Sequence, residues 1–322
     1  MLVARVRRSI VSRGLIPRRS VVLCACSGGP DSAALLASLS RLSSQLGFSL
    51  LAASVDHGLR PEAARDLALA AEQAERVGVP FHALRIEVEQ GSSIQARARE
   101  ARYAALGELA QRLGANRVAV GHTQDDQAET VLARLLRGAG LPGLAAIRPL
   151  RADGVVRPLI DCRRDDVRRF ALACFAEVAE DRSNLDPRFE RVRIRSHVTP
   201  ALTAEDPALI RHLAQLADDA RDCVQLVEQL AEELLTRALL DPKTLDISLL
   251  HAQPATLRQT ALRLFVRRST GLHIGRAELA QLDQTVCTGR GEVWLAQGHS
   301  VRAAGEGRLL VFKRVPTGGQ KG

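Results

Sequence analysis

None of the first 242 residues is a lysine; of the 45 basic residues in this 322-residue chain only Lys243, Lys313 and Lys321 are lysines, and the rest are arginines. This absence excludes a Walker-type phosphate loop, whose G-x-x-x-x-G-K-[ST] string needs a lysine on the terminal phosphates. It also excludes Schiff-base chemistry in the N-terminal part. Aromatic residues make up 3% of the chain, with Tyr103 and Trp294 the single tyrosine and tryptophan. Extensive base stacking is therefore not expected, and arginine planes would have to substitute for rings. The six cysteines, at 24, 26, 162, 174, 223 and 287, form no C-x-x-C pair and no zinc-like spacing. They read as buried free thiols of a reducing compartment, and Cys24 and Cys26, two apart on an expected strand, are expected to point to opposite faces. No run of about 18 apolar residues occurs, and the basic, apolar N-terminus lacks a signal-type apolar stretch. The expectation is a cytoplasmic enzyme without a membrane segment.

The hydrophobic fraction is 46% and the formal net charge +9. A chain of this size suits one sizeable α/β domain and a smaller body, and the charge favours a polyanionic partner. Short apolar runs at 21–26, 50–55, 81–86 and 117–120 alternate with helical patterns at 31–46, 61–77, 94–113 and 124–137. That alternation predicts βαβ units and a doubly wound, mostly parallel sheet. A further strand near 155–159 and a helix over 163–175 follow. Residues 205–237 carry eight Asp/Glu against three Arg, with helical spacing at Leu209, Leu213, Leu216 and Ala220, and read as a helical connector. From position 241 onward twelve Lys/Arg stand against six Asp/Glu. Helices at 254–268 and 276–285 and strands at 292–296, 300–303 and 309–312 make this a small basic α+β domain, with a disordered tail after it. The domain limits are 1–204, 205–240, 241–316 and 317–322.

Three segments at expected strand ends carry chemistry. Ser27-Gly28-Gly29-Pro30-Asp31-Ser32 joins the first strand to its helix. Its glycines admit an anion to the backbone, its amides and hydroxyls can donate, and the site suits pyrophosphate. Asp31 would repel phosphate unless a cation lies between them, which implies Mg²⁺. Ser54 to Arg60 follows the second strand and includes Asp56, His57 and Arg60; Gly121 to Thr130 follows the fourth and includes His122, Asp125, Asp126 and Glu129. All three gather where open α/β sheets bind ligands. Asp126 and Glu129 share a helix face, with Ala128, Val131, Leu132 and Leu135 on the buried side. Carboxylates so placed can hold Mg²⁺ or recognise an ammonium group.

The S-G-G-x-D-S string resembles the PP-loop of the N-type ATP pyrophosphatases, the adenine nucleotide alpha hydrolase-like fold. D-H-G-L-R at 56–60, G-H-T-x-D-D-Q-x-E-T at 121–130 and R-G-x-G-L-x-G-L at 137–144 resemble the tRNA(Ile)-lysidine synthetase family in particular. So do A-R-x-x-R-Y at 98–103 and E-D-x-S-N at 180–184. The resemblance implies ATP as substrate, Mg²⁺, free L-lysine and tRNA(Ile) with a CAU anticodon. Lysine would be joined to C2 of the wobble cytidine after ATP adenylates the base O2. Region 1–204 would be the catalytic domain and 241–316 a tRNA-contacting domain. Residues 27–32 with Asp56, His57 and Arg60 would bind ATP and pyrophosphate, Asp31 and Asp125 would hold the metal, and Asp126 and Glu129 would hold lysine. Asp31, Arg102, His122, Asp126 and Glu129 would form the catalytic set, Arg102 positioning and His122 doing acid/base or orienting work. Arg191, Arg195, Arg258, Arg267 and Arg268 would meet tRNA, and a homodimer is compatible with the resemblance alone. Val192 stands where the family commonly has Asn, and the tail resembles members with one C-terminal domain. Two alternatives stand beside this one: a PP-loop tRNA thiolase, and a non-catalytic RNA-binding protein that kept the fold.

Overall fold

The structure, a computed structural model, describes residues 1–56, 63–86, 94–179, 188–305 and 307–313, with the backbone alone at 94–96 and 313. His57, Arg60 and the E-D-x-S-N segment at 180–184 lie outside the described residues. The chain divides into two compact units, Met1–Ala220 and from Arg221 onward.

In the first unit α1 (Leu2–Ser12) precedes β1 (Val21–Ala25), α2 (Pro30–Leu46), β2 (Ser49–Asp56), α3 (Ala63–Arg76), β3 (Phe81–Arg85), α4 (Ile94–Arg112), β4 (Arg117–Ala119) and α5 (Gln124–Leu136). A one-turn α6 (Leu141–Leu144), β5 (Val155–Val156) and α7 (Arg164–Cys174) follow. The sheet order is β3-β2-β1-β4-β5, and every pairing is parallel. The strand expected at 155–159 stops after two residues because Pro158, two positions on, has no amide to give the ladder.

Both sheet faces are covered, which is why the strands read as unbroken apolar runs rather than alternating ones. Val22 and Cys24 pack with Leu35, Leu36 and Leu39 of α2. Leu23, Ala53 and Val118 pack with Leu106 and Leu109 of α4 on the other side. The expectation that Cys24 and Cys26 face opposite ways is corrected: residues two apart on a strand share a face, and the two sulfurs lie 3.9 Å apart. The Cys26 amide continues the ladder past Ala25, donating to Ala53 O at 2.7 Å, while Cys223 and Cys287, expected to be buried, are exposed.

The face of α5 that carries Ala128, Val131 and Leu132 is buried against Ile194, Ile210 and Leu213. Leu135, expected among them, is 52% exposed. Ile194 opens a π-helical turn (Ile194–Val198) between α8 (Glu190–Arg193) and α9 (Thr199–Glu205). Such wide turns are rare and recur at functional sites. The Val192 carbonyl accepts the Ser196 hydroxyl at 2.8 Å, so the backbone at that position is held without a side-chain amide.

The acidic stretch is one 30-residue helix, α10 (Leu209–Ala238). It gives Ile210, Leu213 and Ala217 to the core of the first unit and Ala231, Leu234 and Leu235 to that of the second. In the second unit β6 (Leu239–Asp241), β7 (Thr244–Asp246), α11 (Ser248–His251), α12 (Ala255–Thr270), α13 (Arg276–Thr288), β8 (Glu292–Trp294), β9 (His299–Ala304) and β10 (Arg308–Lys313) follow in order. The sheet is antiparallel in the order β6-β7-β10-β9-β8. Phe265 and Leu262 of α12 and Leu282 of α13 fill the core beneath it. No helix among the described residues is long and apolar enough to cross a membrane.

Candidate active site

The strand order reverses between β1 and β4, and a cavity of about 370 Å³ opens at their carboxyl ends. Open α/β sheets bind ligands at such switch points, and the volume lies in the range of small-molecule sites. Ser27, Gly29, Asp31 and Ser32 line it from the first loop, Asp56 from the end of β2, and Gly121, His122 and Asp126 from the end of β4. Arg99, Arg102, Arg191 and Arg195 line it as well.

Two glycines let these segments meet. Gly28 has φ +74°, and a Cβ there would lie 2.9 Å from the Asp66 carbonyl oxygen. Only glycine combines that torsion with that approach. A Cβ on Gly121 would lie 3.1 Å from the Asp31 backbone, so the end of β4 presses against the first turn of α2. The Gly28 carbonyl accepts from the Ala179 amide at 2.9 Å and from Gln73 Nε2 at 3.0 Å, which fixes the loop. Inside the loop the Ser27 amide donates to Ser32 Oγ at 3.0 Å, and Ser32 Oγ donates to the Gly29 carbonyl at 3.0 Å. With Pro30 opening α2 and the Ala33 amide bonded back to Gly29 O, the amides of Asp31 and Ser32 have no acceptor within the helix. They are free for an anion, where the helix dipole also favours one.

Asp31 Oδ1 is buried and has no hydrogen-bond partner among the described residues. Burial, with the Asp126 charge nearby, pushes its pKa up to about 6, and Arg164 and Arg195 offset only part of that. A carboxylate in that position is short of a cation. Mg²⁺ fits it, because Mg²⁺ takes one or two protein carboxylates and completes its shell with phosphate oxygens and water. Among the described residues no group of three or more His, Cys, Asp or Glu side chains could hold a metal by itself.

Thr123 caps α5: Asp126 Oδ2 accepts from the Thr123 amide at 2.6 Å and the Thr123 hydroxyl at 3.0 Å. The remaining carboxylate oxygens of Asp126 and Glu129 meet three arginines. Arg164 donates to Asp126 Oδ1 at 2.6 Å and Glu129 Oε1 at 2.7 Å. Arg191 reaches Asp126 Oδ1 at 2.7 Å and Glu129 Oε2 at 3.2 Å, and Arg195 reaches Glu129 at 2.9 and 3.0 Å. Burial alone would raise both carboxyls, but Arg191 and Arg164 around Asp126, and Arg195 and Arg164 around Glu129, hold both below the usual carboxylate range.

His122 is held neutral, its pKa pushed down to about 3 by burial first, with Arg157 among the cations adding to it. Arg157 Nε donates to His122 Nδ1 at 3.2 Å, which places the imidazole proton on Nε2. Of the two expected roles, orienting fits this state better than proton exchange near neutral pH. Arg102 lies in the cavity wall beside Tyr103, its guanidinium carbon 5.8 Å from the ring centre.

Three expectations are corrected. Asp125 is not a cavity residue: its Oδ2 accepts the Arg164 amide at 2.7 Å and caps α7, so the carboxylate is spent on a helix end. Arg191 and Arg195 are not free RNA contacts, since both are bound to Asp126 and Glu129. Arg258 is buried, with Nη2 3.3 Å from Asp283 Oδ2 and Nη1 2.8 Å from the Gln253 carbonyl; it ties α12 to α13. Arg268 pairs with Glu232 while half-exposed, and Arg267 is exposed. Arg164 and Arg157 were missed. The signal for Arg157 was its place directly after Val155-Val156, at the carboxyl edge of the sheet; nothing local pointed to Arg164.

A family model described as a PP-loop domain matches residues 4–202. A tRNA(Ile)-lysidine synthase of Symbiobacterium thermophilum is 37% identical over 322 aligned residues, covering 94% of this chain and 67% of the relative. One from a Bradyrhizobium strain is 38% identical over 290 residues, 83% of this chain and 80% of the relative. Among solved structures, the U34-tRNA thiolase NcsA from Methanococcus maripaludis with its 4Fe-4S cluster superposes with a TM-score of 0.58 over 68% of this chain and 76% of that one, at 18% identity. That is a likeness of fold.

Proposed function

Since the chain belongs to the tRNA(Ile)-lysidine synthase family of PP-loop enzymes, we propose that it joins L-lysine to C2 of the wobble cytidine in tRNA(Ile) with a CAU anticodon. ATP is consumed and AMP and pyrophosphate are released. The observation that carries the reading is the Asp31 carboxylate, buried and with its Oδ1 unpartnered among the described residues, beside the first-turn amides of a helix N-terminus. Such a place suits a nucleotide phosphate and its cation.

In the first step the cytidine O2 attacks the α-phosphorus and the α–β anhydride breaks, with pyrophosphate as leaving group. The amides of Asp31 and Ser32 receive the departing charge. Mg²⁺ at Asp31 would offset charge on the phosphates. Ala53, Val55, Leu67 and Leu106 offer the base of the nucleotide an apolar wall. In the second step the lysine ε-amine attacks C2, the C2–O bond breaks, AMP leaves and the amine loses a proton. His122, neutral with its proton on Nε2, donates a hydrogen bond into the cavity and orients the reacting groups. Asp126 and Glu129 meet the lysine ammonium only when Arg191 or Arg195 leaves them. Arg191, 45% exposed at its side chain, is the readier to move, and added phosphate is its natural alternative partner.

Sulfur transfer is less well supported. Cys26 lines the cavity, but Cys24 is buried beneath it, and its hydrogen bond with Cys26, together with burial, pushes its pKa up and keeps it a thiol.

The test is incubation of the chain with ATP, Mg²⁺, radiolabelled lysine and a CAU-anticodon tRNA transcript. Label should enter the tRNA with one AMP per lysine, and a transcript with guanosine at the wobble position should stay unlabelled. A folded, ATP-binding protein that leaves the CAU transcript unlabelled refutes the assignment.

A further inference from the structure

The small antiparallel sheet turns one face to the core, and on its other face Trp294 and Phe312 are exposed while Ser300 lies buried between them. Val293, Val301, Leu309 and Val311 point into the core. Alternation along β8, β9 and β10 therefore puts Trp294, Arg302 and Phe312 on the other side. The register pairs Trp294 with Ser300 and Ser300 with Phe312, so both aromatic side chains stand on one row across the sheet with a small residue between them. At an inter-strand spacing of about 4.8 Å their attachment points are roughly 10 Å apart. Arg302, diagonal to Phe312, holds its guanidinium 4.8 Å from the ring centre.

Trp294 is 58% exposed and Phe312 39% exposed. In a chain with one tryptophan and seven phenylalanines, the largest ring is left in water on the face of a domain whose core takes Phe265 and aliphatic side chains. Tryptophan is enriched at binding surfaces, where a partner covers its ring. Charge decides which. From position 241 onward twelve basic residues stand against six acidic ones, and Arg302 shares the row's face. An arginine lying on an aromatic ring beside an open tryptophan offers two π surfaces and a cation to one ligand. Bases stack on such surfaces while their phosphates meet the cation. Aromatic-bearing open sheets take unpaired RNA in this way, and a paired helix hides its bases from it.

We propose that this face binds an unpaired stretch of RNA, one base stacking on Trp294 and another on the Arg302–Phe312 pair. The inference rests on the reading that tRNA is the substrate, and it adds where a single-stranded part of that RNA is held.

Trp294 is the chain's only tryptophan, so its emission reports on this face alone. The full chain is titrated with the CAU tRNA transcript, with a single-stranded octamer of cytidylate and with a blunt RNA duplex, and filter retention of the tRNA is measured in parallel. The octamer and the tRNA should quench the emission and the duplex should not. Trp294→Ala should weaken octamer binding about 5- to 150-fold, the span of one lost base stack, and Trp294→Phe should recover most of it. An octamer that leaves wild-type emission unchanged overturns the proposal, even where filters retain tRNA and the substrate reading stands. Emission that shifts with protein concentration alone, together with a dimer that Trp294→Ala dissolves, also overturns it, because a second copy then covers the face. Failure of the wild-type chain to retain tRNA on filters strikes the substrate reading instead.

Discussion

Replacing Arg164 with alanine should lower the unfolding free energy by about 3–5 kcal/mol, the range for breaking a buried ion pair from one side. Arg164 spans Asp126 and Glu129 with one guanidinium at 2.6 and 2.7 Å, and the two carboxylates are 7% and 1% exposed at their side chains. Without it two buried anions share the more exposed Arg191 and Arg195. Both carboxyls are held below the values near 3.9 and 4.3 that unfolded Asp and Glu have. Their contribution is therefore complete above about pH 5 and is lost as pH falls through the depressed native values, because the unfolded state binds more protons over that range. In Arg164→Ala those native values rise, so this acid-side loss should shrink along with the plateau. Urea denaturation followed by circular dichroism at several pH values reads both effects. A loss under about 1 kcal/mol at pH 7 would show that the other arginines suffice.

Asp31→Asn should cut ATP-dependent turnover by about 10²- to 10³-fold, the usual cost of removing one electrostatic contact to developing charge. The pH dependence separates this role from a merely structural one. With no cation the Asp31 carboxyl titrates at about 6, so the native state holds that proton between pH 4 and 6 more tightly than the unfolded chain does. That contribution to stability is lost as pH rises to 6; above it the native state carries the buried charge at a cost, which a bound cation relieves. Apparent affinity for Mg²⁺ and ATP together should rise with pH, approaching about tenfold per unit well below 6 and levelling off above it, and Asp31→Asn should lack this component. Calorimetry in two buffers of different ionisation enthalpy should find Asp31 releasing about three quarters of a proton per nucleotide at pH 5.5 and almost none at 7.5. Equal proton release in the asparagine variant would remove Asp31 from the account.

The sequence made the catalytic frame legible because its signals are local. Four apolar runs, each followed by a glycine- or carboxylate-bearing string, are enough to infer strands whose carboxyl ends share one edge, and β1 to β4 lie there. Ser27, Asp31, His122 and Asp126 were readable for that reason, and the structure brings them to one cavity. The contacts that set the electrostatics were not readable, because they join residues 35 to 69 positions apart. Arg164 looks like a solvated charge in sequence, and Arg191 and Arg195 look like RNA contacts, until α7, α8 and the π-helical turn return them to α5. Asp125 misled for the converse reason: beside Asp126 in sequence, it turns to the end of α7 instead. The hairpin of β6 and β7 went unread because two three-residue strands carry too short a pattern.

The measurement that bears most directly on all of this is a crystal structure with Mg²⁺ and a non-hydrolysable ATP analogue. The account predicts phosphates against the amides of Asp31 and Ser32, the ion on Asp31 Oδ1, and the adenine beside the end of β2. A nucleotide bound anywhere else, or a crevice that stays closed by Arg191 and Arg195 at saturating analogue, would contradict it.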